Sequence, residues 1–312
     1  MAKTTHKELL DAGVHFGHMK RKRNPNMAPY IFMEKNGIHI IDLNKSLVKL
    51  ESAKAALRQI AKSGRKILFV ATKKQAKDIV ADLVKQTGMP FATERWPGGM
   101  LTNFHTIRKA VKKMSTIDRM GTDGTMENMS KKEKLQITRQ RAKLERNLGS
   151  IADLTRLPAA IFIVDVQREK IAVSEAKKLN IQTFAMVDTN SDPNDVDFAI
   201  PSNDDSSKSI SLIVGDIVDA IKEGLEERKK EKTTNSDEEK SKEIEEEVQS
   251  AVDKNENVAE EVEKGNEKNP KKPVKKAAKR KRIGAKVTNK EVAKKEPSAK
   301  EKSSKKEEKA TA

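Results

Sequence analysis

Cysteine is absent from the 312 residues, which excludes disulfides and every thiolate metal centre, zinc fingers included. Aromatic residues are scarce at 3%, with one tryptophan and one tyrosine. No uninterrupted apolar run approaches the roughly 18 residues that a membrane span requires. Residues 1–10 lack the apolar stretch of a secretory signal. The chain is therefore expected to be soluble and cytoplasmic. The usual signatures of nucleotide and acyl chemistry are missing too. No Gly-x-Gly-x-x-Gly follows an apolar run, and neither Gly-x-x-x-x-Gly-Lys-Ser/Thr nor Gly-x-Ser-x-Gly occurs.

Positive charge is what the chain has in excess. Its 64 Lys and Arg outnumber 47 Asp and Glu, for a net charge of +17. The surplus is uneven: residues 1–230 carry a net +13, residues 231–268 a net −8 and residues 269–312 a net +12. The first segment is basic in its own right and suits a polyanion, nucleic acid before an anionic membrane. The last two hold too few apolar residues to offset the entropy of ordering. A disordered tail is expected over 231–312, acidic over 231–268 and basic over 269–312.

Residues 1–36 read as a short helix, Thr5 to Ala12 stopped at Gly13, and a basic arm, Lys20-Arg21-Lys22-Arg23-Asn24-Pro25. Pro25 and Pro29 are expected to deny the arm a regular element. Residues 37–104 and 150–230 alternate apolar strands with amphipathic helices. Strands are expected at Gly37–Asp42, Lys66–Ala71, Met89–Trp96, Ala159–Asp165, Ile181–Asp188 and Phe198–Ile200. Asn44 is expected to cap one helix, Thr72 and Gln75 to form a capping box on the next, and Asp204 or Asp205 to cap the last. Continuous apolar strands mark a sheet buried on both faces, so the class is α/β, a parallel sheet flanked by helices.

Residues 105–149 interrupt this alternation with no strand signal. Ile107, Val111, Met114 and Ile117 make one apolar seam, broken at Met120–Gly124. Ser130 and Glu133 then open a second helix as a capping box, and Ile137, Leu144, Leu148 and Ile151 follow at coiled-coil spacing. An inserted helical hairpin is expected, with Lys and Arg on its outer faces.

The most informative stretch is Glu94 through Phe104. Pro97 fixes φ and the Gly98–Gly99 pair permits positive φ, so a strand ending at Trp96 must turn there. Thr102 or Asn103 can cap the helix that follows. One reading is a strand-to-helix corner with a packed tryptophan. The other sets Arg95 and Trp96 beside backbone without side chains, with Asn103, His105, Arg108 and Lys109 close by in sequence. A cation, a flat ring and an approachable backbone suit a sugar–phosphate chain. The two readings are compatible.

A second polar cluster runs from Asp188 through Asp195, then Asp197, Asp204 and Asp205. Carboxylates at strand ends can hold a hard cation, and His15 or His18 can join if the arm folds back, which makes His15, His18, Asp188, Asp204 and Asp205 candidate metal ligands. Asx residues also serve turns and caps without any metal. No nucleophile, base or cofactor loop accompanies them, which argues against an enzyme.

Taken together, Leu10 through His18, Asn24-Pro25 with Met27, Gly37 through Asp42, Arg95 through Asn103, Leu157 through Asp165 and Val187 through Pro193 resemble the bacterial small-subunit ribosomal protein two family. The pieces occur in order over about residues 5–228. The resemblance implies a flavodoxin-like or Rossmann-like sheet domain with a protruding coiled-coil hairpin. It also implies a seat at the head–body junction of the small ribosomal subunit, bound to ribosomal RNA near the messenger exit, and a part in bringing in ribosomal protein one. Carried onto this sequence, the RNA-contact candidates are Lys20, Arg21, Arg23, Asn24, Arg95, Trp96, Gly98, Gly99, Asn103, His105 and Arg108, with Lys73 and Lys74 at a strand end. Pro97 stands where relatives often have Leu, and the tail has no counterpart in short members of the family.

The function expected on these grounds is that of a structural, RNA-binding constituent of the small ribosomal subunit that supports translation without catalysis. It needs no cofactor, with a structural magnesium or zinc ion as an option at the acidic cluster. Its expected partners are ribosomal RNA and other small-subunit proteins, with no membrane and no second copy of itself. Two alternatives stay open: a Rossmann-type enzyme acting on a nucleotide or anion, and a scaffold working through its hairpin and tail.

Overall fold

In chain order the elements are α1 (His6–Asp11), β1 (Phe16–Met19), β2 (Ile31–Lys35), β3 (Ile38–Ile41), α2 (Leu43–Lys62), β4 (Ile67–Val70), α3 (Lys74–Lys85), β5 (Phe91–Ala92), α4 (Phe104–Thr122), α5 (Lys131–Leu148), β6 (Ala160–Val164), α6 (Lys170–Lys178), β7 (Gln182–Val187) and β8 (Phe198–Pro201). A last helix, α7, begins at 207 and runs through 231. They come from a computed structural model that describes residues 4–125, 129–231 and 233. Nearly all of the expected disordered tail lies outside the described residues. Its first residue, Glu231, is still helical and pairs with Lys62 of α2 at 2.5 Å.

β4 to β8 form one wholly parallel sheet in the order β5-β4-β6-β7-β8. Successive side chains along a strand point to opposite faces, so an apolar run coats both. Ile67, Phe69, Phe162, Val164, Phe184 and Met186 meet α2, α3 and α7 on one face. Leu68, Val70, Ile161, Ile163, Ala185 and Val187 meet Trp96, α6 and the base of the α4–α5 pair on the other. Each fully buried Ile, Leu or Phe contributes about 1.5–3 kcal/mol, which is why the loops at the strand ends sit on a rigid base. Among the described residues no helix is long and apolar enough to cross a membrane.

Several expectations need correction. The strand read at 37–42 exists as β3, but it belongs to a separate antiparallel sheet, β1-β3-β2, rather than to the parallel one. The arm between β1 and β2 is also more regular than its prolines suggest. Pro25 opens a 3-10 segment, Pro25–Tyr30, where the missing N–H costs nothing. Met89–Trp96 shrinks to the edge strand Phe91–Ala92, because Trp96 turns into the core.

The capping residues differ as well. Asp42, not Asn44, caps α2, accepting from the Asn44 N–H at 3.0 Å. Thr72 and Gln75 form no capping box; Lys73 precedes α3 without a side-chain cap, and Thr72 is drawn to Glu169. Asn203, not Asp204 or Asp205, accepts from the Asp205 and Ser206 N–H groups ahead of α7. Helix α4 also runs through Met120 and Gly121 to Thr122. The Ser130–Glu133 capping box on α5 is present as expected, and α4 and α5 pack together with Arg141 paired to Asp118.

Candidate nucleic-acid interface

A doubly wound parallel sheet offers its crevice at the carboxyl ends of the strands where the order reverses, here between β4 and β6. In this chain that crevice is filled by its own side chains. Glu169 places its carboxylate where an anion would meet the start of α3, accepting from the Thr72 N–H at 3.2 Å and from the Thr72 hydroxyl. Burial pushes the Glu169 carboxyl above its usual range. Next to it Lys73, 7% exposed, donates to Asp204 at 2.8 Å, pairs with Asp205 at 2.6 Å and lies 3.5 Å from Asp165. Burial alone would lower the Lys73 ammonium; the surrounding carboxylates outweigh it and hold it above its usual range.

The Trp96–Asn103 corner is filled in the same way, by Glu175 of α6. Its carboxylate accepts from the N–H groups of Gly99 (2.7 Å), Leu101 (3.0 Å) and Thr102 (3.2 Å), from the Thr102 hydroxyl (3.2 Å) and from the Trp96 indole (3.3 Å). Gly99 has φ 84°, which only glycine adopts without strain and which aims its N–H inward. Burial alone would raise the Glu175 carboxyl, but these donors outweigh it and hold it below the usual range. Trp96 is 7% exposed, so its ring is core and not a surface on which a base could stack.

The arm meets the protein differently. Its root is fixed to the loop after β7. The His18 N–H donates to the Thr189 hydroxyl at 2.9 Å, the Asn24 N–H to the Thr189 carbonyl at 2.8 Å, and the Asn26 amide to Asp192 at 2.8 Å. Gly17 allows this approach, since a Cβ there would lie 2.6 Å from Thr189 Cγ2 and 3.1 Å from the His39 carbonyl. Beyond the root, Lys20, Arg21, Lys22 and Arg23 are exposed. Lys20 pairs with Glu34 at 3.0 Å, while Arg21, Lys22 and Arg23 have no ion-pair partner among the described residues.

The expected RNA-contact residues thus divide. Lys20, Arg21, Arg23, Lys74, Arg95, Gly98, Asn103 and His105 are exposed, and Asn24 is half-buried at the arm's root. Trp96 and Lys73 are buried and bonded internally, and the Gly99 N–H is committed to Glu175. Arg108 bends back onto the carbonyls of Leu154 and Thr155. Asn103 precedes α4, but its side chain bonds no helix N–H and accepts instead from the Thr106 hydroxyl at 2.8 Å.

Of the expected metal ligands, His18, Asp188, Asp204 and Asp205 converge, with one ligand atom from each within 4.8 Å of the others. His15 is not among them; its ring lies tilted against Phe16, and its Nδ1 is buried without a hydrogen-bond partner. His18 Nδ1 lies 2.7 Å from Asp188, a bond that raises the imidazole above its usual range against the effect of burial. Burial, with Asp165 and Asp188 nearby, pushes the Asp204 carboxyl up to about 7. Glu169 and Glu175 escaped the sequence reading. Glu175 lies in α6 and Glu169 just before it, in a stretch of mixed polarity where an inward carboxylate and an outward one look alike.

The profile of the family described as "Ribosomal protein S2" matches residues 9–224. The chain is 69% identical over 219 residues to the small ribosomal subunit protein uS2 of Flavobacterium johnsoniae, covering 70% of this chain and 86% of that protein. It is 66% identical over 224 residues to the uS2 of Azobacteroides pseudotrichonymphae, covering 72% and 86%. To the uS2 of Porphyromonas gingivalis it is 64% identical over 225 residues, covering 72% and 80%.

Proposed function

The chain belongs to the ribosomal protein S2 family, and from that premise we propose that it holds small-subunit ribosomal RNA chiefly through its basic arm. Its role is structural and non-catalytic, that of a small-subunit ribosomal protein. The observation that carries the proposal is the pair Arg21 and Arg23, exposed and without an ion-pair partner among the described residues, on a root bonded to Thr189 and Asp192. Such cations gain most from phosphate, because no carboxylate has to be given up first. Lys20 and Asn24 flank the contact. Arg95, Gly98, Asn103 and His105 form a second exposed patch, with Lys74 at the start of α3. Trp96, Lys73, Gly99 and Arg108 act indirectly, by holding the backbone that presents these groups.

The finer reading extends from the same premise. The strand order, numbered within the parallel sheet as 2-1-3-4-5, is that of a flavodoxin-like fold, and α4 with α5 serves as an inserted coiled-coil hairpin. We divide the chain into an arm at 1–36, a sheet domain at 37–104 and 150–230, a hairpin at 105–149 and a charged tail beyond. The protein works on the cytoplasmic ribosome at the head–body junction, as a single copy, and helps to recruit ribosomal protein one. The test is co-sedimentation of the full chain with small subunits stripped of this protein, over a salt series. Saturable one-to-one binding that resists moderate salt supports the proposal. Binding equalled by arbitrary RNA and lost as salt rises removes it.

A further inference from the structure

Between the root of the arm and α6 lies a cleft of about 390 Å³, within the range of about 300–1,000 Å³ that small-molecule sites occupy. It is lined by Asn24 of the arm, Gln167 after β6, Lys170 and Ser174 of α6, and Asp192 and Asp195 from the turn after β7. Val166 and Val173, only 3% and 4% exposed, add an apolar surface.

Unlike the crevice and the glycine corner, this cleft keeps its polar groups uncommitted. The Gln167 amide, the Lys170 ammonium and the Ser174 hydroxyl have no bonding partner among the described residues. Asn24 accepts from the Asn26 N–H at 3.0 Å through Oδ1, which leaves its NH2 group unused. The two carboxylates are engaged in part. Asp192 accepts from the Asn194 N–H at 2.9 Å and from the Asn26 amide at 2.8 Å. Asp195 takes the Lys177 ammonium on Oδ1 at 2.7 Å, so its Oδ2 remains as an acceptor. Donors and an acceptor thus stand side by side next to apolar surface.

That mixture decides what kind of ligand fits. Two carboxylates repel a phosphate, so the interior suits a neutral group that both donates and accepts. An unstacked nucleobase offers such an edge, together with a flat face for the valine side chains. The cleft also continues the arm. Asn24 follows Arg23 directly, and its N–H is fixed to the Thr189 carbonyl at 2.8 Å. A strand whose phosphates meet Arg21 and Arg23 therefore runs beside the opening.

We propose, on the premise that the arm contacts RNA, that this cleft receives one unstacked nucleobase of the strand that Arg21 and Arg23 hold. The Asn24 NH2 group, Gln167, Ser174 and Asp195 Oδ2 serve its edge, Val166 and Val173 its face, and Lys170 a flanking phosphate. The arm then supplies affinity through charge, and the cleft adds a contact that charge alone does not give.

The test uses the full chain with small-subunit ribosomal RNA as the probe. Zero-length ultraviolet cross-linking reports contact with bases rather than phosphates. On the unsubstituted chain it should map a nucleotide to residues 166–174. Ser174→Phe fills the cleft and should lower affinity about 10-fold, the scale of one stacked base, with the salt slope and melting temperature unchanged. Lys170→Gln should instead reduce the slope of log K against log salt by about one. No cross-link in 166–174, or unchanged RNA affinity in Ser174→Phe, would overturn the proposal while leaving the arm reading in place. Normal RNA affinity with lost incorporation into stripped subunits would assign the cleft to a protein neighbour and overturn it as well. Failure of the arm reading shows separately, as an unchanged slope in Arg21→Ala/Arg23→Ala, and removes the premise of the cleft with it.

Discussion

The glycine corner at Trp96–Asn103 and the basic arm at Lys20–Asn24 are both rich in groups that attract phosphate, yet the protein treats them in opposite ways. At the corner the anion is built in, since Glu175 takes up the N–H groups of Gly99, Leu101 and Thr102 and the indole of Trp96. At the arm Arg21 and Arg23 have no ion-pair partner among the described residues. A donor satisfied inside the fold stabilises the fold, whereas an unsatisfied cation on a fixed root is available to a partner. The same division holds at Thr72, whose backbone N–H is occupied by Glu169.

Breaking the corner should give the largest effect on stability. Glu175→Ala leaves buried donors unpaired and should cost about 3–5 kcal/mol, read as a lowered midpoint in chemical denaturation. An unchanged midpoint would mean that the corner does not depend on its carboxylate. Next in size, Gly17→Ala forces a methyl against Thr189 and the His39 carbonyl. It should cost about 1–3 kcal/mol by overpacking and speed tryptic cleavage within the arm; equal cleavage rates would show that the root is not fixed there.

Acid should separate the regions further. Because the folded Glu175 carboxyl lies below its ordinary 4.5, its contribution is fully present above pH 4.5 and fades as pH falls through the folded value. Glu175→Gln should therefore flatten the stability–pH curve below 4.5; a curve parallel to the unsubstituted protein's would contradict this. The smallest effect belongs to Arg95→Ala. Arg95 is exposed, so stability should stay within about 0.5 kcal/mol while RNA affinity falls modestly. Loss of stability in a thermal melt would place Arg95 in the fold rather than at the interface.

Much of the fold was legible because it rests on local signals. The apolar runs at Ile67–Val70, Ala160–Val164 and Gln182–Val187 announce buried parallel strands, and the Ser130–Glu133 box announces α5. The antiparallel sheet was less visible. Phe16–Met19 and Ile31–Lys35 are mostly exposed short strands, and their pairing with Ile38–Ile41 is not local in sequence. The charged site was half legible. Residue types pointed to the convergence of His18 with Asp188, Asp204 and Asp205, but not to Lys73 among them, nor to Glu175, 76 residues from the Gly99 N–H it serves. Whether a charged side chain faces inward depends on which element packs over it, and a single sequence does not display that.

The decisive measurement is the salt dependence of binding to small-subunit ribosomal RNA for the full chain, Arg21→Ala/Arg23→Ala and Trp96→Phe, each with its melting temperature. Removing the arm's two arginines should reduce the slope of log K against log salt by about two and leave the melting temperature unchanged. Trp96→Phe should keep the slope and lower the melting temperature. An unchanged slope in the arginine variant, or a reduced one in Trp96→Phe, would contradict the division between a self-satisfied corner and an RNA-facing arm.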